Sequence, residues 1–245
     1  MKIVAIIPAR YDSTRFPGKP LVDIYGKPMI QHVYERVMES KLVDKVIVAT
    51  DDKRIFDTVK NFGGKAEMTS SKPQSGTDRV REVIKKIKCD IVVNVQGDEP
   101  GINPKDIDKA VKPLIKDKEV NISTLAIRIQ NGADLKDENK VKVVLDKNNF
   151  ALYFSRNNIP FDRNHINNVV KENFYKHIGL YVYRRKFLID LKKLKPSALE
   201  NLEKLEQLRF LDNGEKIKVI ITDKESISVD TPADLQNFIN STTIN

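Results

Sequence analysis

Tryptophan is absent from the 245-residue chain, cysteine occurs once and glycine only ten times. Without tryptophan, and with lysines spread along the whole chain, the sequence lacks the clustered cations and aromatic platforms of a nucleic-acid binder. Cys89 alone excludes an internal disulfide and has no CxxC partner, so a reducing cytoplasm is the expected location. One cysteine and three histidines, His32, His165 and His177, argue against a zinc centre. No Ser-His-Asp order and no Cys-His pair suggests a covalent nucleophile. No apolar run approaches the ~20 residues that span a bilayer. The opening "MKIVAIIPAR" is interrupted by Pro8 and Arg10 and reads as a strand rather than a signal segment, so no membrane partner is expected. Both glycine-rich phosphate motifs are missing as well: there is no GxGxxG, and "PGKP" puts Pro20 where a Walker loop needs Ser or Thr.

What is present is an ordinary globular composition, 40 % hydrophobic and 31 % charged, long enough to bury a core without disulfides or a structural metal. The net charge of +9 suits small anionic substrates as well as it suits a solvated lysine surface. Strand-like runs at 2–8, 45–50, 90–95 and 121–129 alternate with helical stretches at 28–40, 52–62, 76–88 and 105–116. That rhythm predicts an α/β fold: a mainly parallel central sheet covered by helices on both faces. From about 140 the pattern changes. "VKVVLDKNNFALYFSR" reads as a hairpin turning at Asp146–Asn149, and "YKHIGLYVYRR" as a further strand. "SALENLEKLEQLRFL" reads as one amphipathic helix with leucines 199, 202, 205 and 208 as its stripe and a Ser197/Glu200 capping box. "IKVIIT" and a helix from Pro232 close the chain. With no repeat and no clear linker, residues 1–245 read as a single domain carrying a β-rich insertion at about 140–185.

In parallel α/β folds the ligand crevice lies beyond the carboxyl ends of the strands, which predicts that the loops at 9–20, 71–77 and 96–100 share one rim. The first, "ARYDSTRFPGKP", holds Arg10, Ser13, Thr14, Arg15 and Lys19. Its forks, ammonium and hydroxyls match a polyphosphate, although a solvated loop explains the same charges equally well. In "VNVQGDEP" Asp98 emerges from a buried strand where a magnesium ion could use a hard oxygen ligand, or where Gly97-Asp98 simply turns the chain. In "SVDTPADL" a cap explains Thr231, Pro232 and Asp234 but leaves Asp230 over, at another strand end and able to share a cation with Asp98. Arg156, His177, Glu206 and Gln207 carry weaker signals, each compatible with a structural role.

Nine segments in register, "IIPARYDSTRFPGKPL", "VATDD", "QSGTDR", "VNVQGDEP", "VKVVLD", "ALYFSRNNIPF", "HIGLYVYR", "LEKLEQLR" and "VDTPADL", resemble the 3-deoxy-manno-octulosonate (Kdo) cytidylyltransferases from Ile3 to Phe238. The resemblance implies a nucleotidyltransferase (Rossmann-like) three-layer fold, a homodimer whose β-rich insertion serves dimerisation and sugar binding, and transfer of CMP from CTP to Kdo with magnesium, feeding lipopolysaccharide synthesis. It further implies that Arg10, Ser13, Arg15 and Lys19 hold the triphosphate. Pro8, Ala9, Gln74, Ser75, Gly76 and Arg79 would line the nucleotide. Asp98 and Asp230 would bind the metal. Gln96, Arg156, His177, Tyr183, Glu206 and Gln207 would surround the sugar acid. Arg10, Lys19, Asp98 and Asp230 would carry the catalysis. Two departures from the family pattern stand out: Asp12, where a small residue is usual, and Gly101, where a larger apolar one is common. A transferase for a related acid sugar (8-amino-Kdo or a sialic-type acid) and a non-catalytic nucleotide-binding protein are the alternative readings.

Overall fold

The computed structural model describes residues 1–12, 16–72, 75–163, 173–224 and 226–242. In chain order the strands are β1 (Ile3–Ala9), β2 (Asp23–Ile24), β3 (Lys27–Pro28), β4 (Lys45–Thr50), β5 (Ala66–Met68), β6 (Ile91–Asn94), β7 (Ile122–Arg128), β8 (Lys142–Leu145), β9 (Ala151–Ser155), β10 (Tyr175–Arg184) and β11 (Ile217–Thr222). The α-helices are α1 (Met29–Met38), α2 (Lys53–Asn61), α3 (Gly76–Lys85), α4 (Pro104–Lys116), α5 (Gly132–Lys136), α6 (Arg185–Asp190), α7 (Ala198–Glu203), α8 (Gln207–Asp212) and α9 (Pro232–Thr242). Contacts gather these into two units, residues 1–108 with 226–245, and residues 109–225.

The first unit is built on a parallel sheet in the order β6-β1-β4-β5. Ile3 to Ile7 are at most 3 % exposed, so β1 is covered on both faces, as a continuous apolar run in a parallel sheet requires. Helix α1 buries Met29, Ile30, Val33 and Val37, the face read from the sequence. Asp52 caps α2 by accepting from the Arg54 amide, and Gly63, at φ +80°, ends the turn that follows. The β2–β3 hairpin was not anticipated, because two-residue strands carry no periodicity. Its turn residues Tyr25 and Gly26 have φ 53° and 80°, the positive pair that a type I′ turn demands. The last segment returns to this unit: Val229 and Phe238 pack with Ile24 and Met29 in one apolar cluster. Gly101 fits there because a Cβ on it would lie 3.2 Å from the Phe238 ring.

In the second unit β7 is parallel to β11 and antiparallel to β10, and β8 joins β10 to β9. The expected hairpin is present: Asp146 Oδ1 accepts from the amides of Asn148 and Phe150, and Asn149 turns the chain at φ 57°. The single helix read over 197–211 is instead two short ones. Lys204 adopts a left-handed conformation (φ 55°, ψ 43°) and ends α7 after six residues, with Glu206 at the start of α8. The leucine stripe divides with the helix: Leu205 and Leu208 are buried, whereas Leu202 is 80 % exposed. Half of the expected capping box forms: Ser197 Oγ accepts the Glu200 amide at 3.4 Å, but both Glu200 oxygens take the Arg209 guanidinium, at 2.7 and 2.6 Å. The α/β class and the mainly parallel sheet read from the rhythm are those observed.

Candidate active site

The carboxyl end of β1 opens a cavity of about 400 Å³ lined by Pro8, Ala9, Arg10, Asp12, Lys19, Pro20, Gln96, Gly97, Asp98 and Asp230. Three loops meet there as expected. A Cβ on Gly76 would lie 3.4 Å from Pro8 Cγ and 3.7 Å from Gln96 Oε1, and one on Gly97 would lie 2.9 Å from the Pro8 carbonyl oxygen. Glycine at 97 is therefore what lets the chain pass the end of β1 closely enough to place Asp98 over the cavity. At the first contact, Ser75 caps α3 by accepting from the Asp78 amide, so the N-terminal turn of that helix faces Pro8 and Gln96.

Asp230 reaches the same place by a different route. The Val229 amide donates to the Asp98 carbonyl at 2.9 Å, tying the two segments side by side. The Thr231/Asp234 capping box anticipated from the sequence forms reciprocally: the Thr231 amide donates to Asp234 Oδ2 at 2.8 Å and the Asp234 amide to Thr231 Oγ1 at 3.2 Å. Asp234 Oδ2 also accepts the Asp230 amide at 3.1 Å, so the cap fixes the backbone of Asp230 and leaves its carboxylate outside.

Both carboxylates converge on one cation. Lys19 Nζ donates to Asp98 Oδ2 at 2.7 Å and to Asp230 Oδ1 at 3.1 Å. Lys19 follows Gly18, which sits at φ +71° and whose amide donates to the Tyr11 carbonyl at 2.9 Å. A Cβ on Gly18 would lie 3.2 Å from the Tyr11 ring, and the Arg54 guanidinium carbon lies 3.2 Å from that ring's centre. Arg54 is itself held by both oxygens of Asp52, at 3.0 and 2.6 Å. The two ends of the basic loop are thus fastened together and to the start of α2. Sequence reading missed Tyr11 and Arg54, which carry no motif of their own.

Arg79 lies beneath the surface. It is fully buried, with Nη2 2.9 Å from Asp51 Oδ2 and Nη1 donating to Thr69, so its charge braces the ends of β4 and β5. Arg10 is exposed at the cavity rim, and Asp12, the unexplained acid, lies at the same rim. Ser13, Arg15 and Gln74 lie outside the described residues.

The remaining candidates, Arg156, His177, Tyr183, Glu206 and Gln207, belong to the second unit. Arg156 is a strut between loops, donating from Nε to the Glu203 carbonyl at 2.8 Å and from Nη1 to the Glu138 carbonyl at 3.0 Å. His177 Nε2 is 2.8 Å from Thr124 Oγ1, and its ring meets Phe154 and Tyr181 at 5.2 and 5.3 Å. Burial pushes its pKa down to about 3, so the ring is neutral at any working pH. Tyr181 stacks on the fully buried Tyr183 at 5.7 Å, and Tyr183 on Phe187 at 6.3 Å. Burial, with the Glu206 carboxylate adding to it, holds the Tyr181 phenol well above its ordinary pKa. A bulge between Ile178 and Tyr181 takes Gly179 and Leu180 out of the β7 ladder, so that 177, 181 and 183, on one face already by alternation, stand opposite the alternate residues Ala126, Thr124 and Ile122. That offset cannot be seen in a strand read by simple alternation.

The cytidylyltransferase family model matches residues 4–217. The chain is 55 % identical, over 98 % of both chains, to the 3-deoxy-manno-octulosonate cytidylyltransferase of Geotalea uraniireducens (strain Rf4). It is 52 % identical to that of Thermodesulfovibrio yellowstonii (strain ATCC 51303 / DSM 11347 / YP87), over 96 % of both. Among solved structures, CMP:2-keto-3-deoxy-manno-octonic acid synthetase complexed with CTP superposes with a TM-score of 0.94 at 44 % identity, covering 99 % of each chain. A putative glucose-1-phosphate thymidylyltransferase from Bacillus anthracis shares the fold at 20 % identity, over 99 % of this chain and 96 % of that one, with a TM-score of 0.67. The chain belongs to the cytidylyltransferase family, as a member of its 3-deoxy-manno-octulosonate branch.

Proposed function

We propose that the protein transfers CMP from CTP to 3-deoxy-D-manno-octulosonate, giving CMP-Kdo and pyrophosphate. The observation that carries the reading is the cluster of Lys19, Asp98 and Asp230 at the end of β1, in a chain matched along its whole length by Kdo cytidylyltransferases. The anomeric hydroxyl of the sugar attacks the α-phosphorus in line with departing pyrophosphate, so the protein's work is positioning and charge stabilisation. Arg10 and Lys19, with Arg15, neutralise charge gathering on the leaving group, and Pro8, Ala9 and the Ser75–Gly76 turn form the wall for the nucleotide. Gln96 is the cavity residue that this reading gives to the sugar acid. The resemblance assigns Arg156, His177, Tyr183, Glu206 and Gln207 to the same substrate; Tyr183 is fully buried and Arg156 is tied to two backbone carbonyls, so these two would support a binding wall and not touch the sugar. In that role His177 is a neutral hydrogen-bonding group and not an acid.

Asp98 and Asp230 suit a magnesium ion, since their oxygens already converge within 3.1 Å of one cationic nitrogen and both are hard ligands. Bound there, the metal would supply Lewis-acid polarisation of phosphate oxygens and acidify the sugar hydroxyl. Two further expectations belong to the same reading. The protein is a cytoplasmic enzyme of lipopolysaccharide synthesis; no helix among the described residues is long and apolar enough to cross a membrane. It is a homodimer, supported by the exposed apolar side chains Leu152, Phe161 and Leu202 on the second unit.

The test is pyrophosphate release with each of the four nucleoside triphosphates, Kdo and magnesium, repeated with 8-amino-Kdo and a sialic acid. Release with CTP and Kdo is expected. Release only with another nucleotide, or only with another acid sugar, overturns the corresponding half of the assignment. Asp98→Asn should lower kcat by roughly 10²-fold or more while leaving the melting temperature nearly unchanged.

A further inference from the structure

The ammonium of Lys19 sits between the two carboxylates assigned to the metal, 2.7 Å from one and 3.1 Å from the other, and its side chain is only 12 % exposed. A divalent ion on the same oxygens would share them with a second positive charge, and the two cations would repel one another. The two cations therefore compete for one place. We infer that Lys19 is a resident counter-cation that keeps divalent metal out of the free protein and gives up the carboxylates when a triphosphate arrives. The inference rests on the proposed function for placing the metal at Asp98 and Asp230.

The backbone around Lys19 is built so that only the side chain has to move. The Lys19 amide donates to Phe16, the Leu21 amide to Gly18 and the Val22 amide to Lys19, at 3.2, 2.8 and 3.2 Å, and buried Pro20 follows directly. A lysine on such a fixed base is a point charge on a flexible four-carbon stem, able to exchange one oxygen partner for another. Triphosphate oxygens offer that second partner. When the ammonium pairs with phosphate, it leaves the Asp98 and Asp230 oxygens it had bonded, and these would then be open to a metal. Metal and nucleotide then bind with positive coupling, and each site feels the other through one side chain.

The experiment is Mn²⁺ binding to the nucleotide-free protein, read from the electron paramagnetic resonance of free Mn²⁺, for wild type, Lys19→Met, Lys19→Arg, Asp98→Asn and Asp230→Asn. The Met variant removes the charge while keeping much of the stem. It is expected to bind Mn²⁺ about tenfold more tightly than wild type, within the range of measured site-to-site couplings, while the Arg variant stays as weak as wild type. Melting in the absence of metal should show the Met variant less stable than wild type, with Mn²⁺ restoring it. Met and wild-type affinities that are equal, with Asp98→Asn abolishing the site, would overturn the role of Lys19 and leave the metal site standing. Mn²⁺ binding unaffected by both Asp→Asn changes would overturn the metal site and the inference together.

Discussion

Two residues show how single positions set up the chemistry. Gly97 approaches the Pro8 carbonyl so closely that an added Cβ would lie 2.9 Å from that oxygen, and backbone cannot yield as a flexible side chain would. Gly97→Ala should therefore displace Asp98 and cost roughly 10-fold or more in kcat/KM, a loss of more than ~1.4 kcal/mol in the transition state, visible in a steady-state comparison. His177 acts in the opposite sense, through what it does not do. Its ordinary value of 6.5 falls to about 3 in the fold, so between those values the unfolded chain binds a proton that the folded chain refuses. Its contribution to stability is complete above about pH 6.5 and is lost as the pH falls towards 3. Melting temperatures recorded from pH 7 to pH 4 should fall less steeply for His177→Gln than for wild type. Equal slopes would mean that the histidine is protonated in the fold.

At the scale of elements, the basic loop and the divided helix make separate points. The loop's ends are held by Gly18 against Tyr11 and by Tyr11 against Arg54, so Lys19 is aimed by contacts that touch no phosphate. Arg54→Gln should raise the KM for CTP several-fold with a smaller effect on melting, because a cation–π pair made by an exposed arginine contributes little to stability. An unchanged KM would assign the stack to stability alone. In the α7–α8 region, Lys204 pays the left-handed penalty of a residue with a Cβ. Lys204→Gly should raise stability by roughly 0.5–1 kcal/mol, read from denaturant midpoints, because relief of the left-handed penalty exceeds the greater freedom of glycine in the unfolded chain. The same break marks where sequence reading stopped. Apolar patterning located β1 and β4 as unbroken apolar runs buried on both sides, α1 by its regular buried face, and the β8–β9 hairpin by its turn residues. It could not see a helix interrupted at a lysine, a two-residue strand, or the bulge in β10, since none of these changes the apolar pattern around it. In the candidate site, Asp98 was legible as a polar residue just beyond a buried strand and Asp230 as the acid its cap leaves over, but Asp230 is not at a strand end: β11 closes at Thr222 and Asp230 comes just before α9. The partners that aim them, Gly97, Tyr11, Arg54 and the amide of Val229, speak through distances that no spacing encodes.

For the molecule as a whole, the two most exposed large apolar side chains among the described residues, Leu202 and Phe161, lie in the second unit, as a homodimer with its interface there would explain, although Met1, Tyr25, Met38 and Met68 are exposed in the first. Leu152 on β9, Phe161 beyond it and Leu202 on α7 are 61, 79 and 80 % exposed, all within the second unit, where a lone chain gains nothing by presenting them to water. The break at Lys204 bears on this too, because it is Leu202, on the N-terminal side of the break, that stays outside while Leu205 and Leu208 join the core. If these side chains meet their copies about a two-fold axis, the interface is isologous and a single charge introduced on each chain acts twice. Light scattering should give a mass near twice the 28.0 kDa of the chain for wild type. The double change Leu152→Glu with Leu202→Glu should shift that mass towards one chain, with helical content unchanged by circular dichroism. A monomeric wild type would remove the dimer from the reading without touching the cavity at the end of β1, whose residues all lie in the first unit. A dimer that survives both glutamates would place the interface on another face.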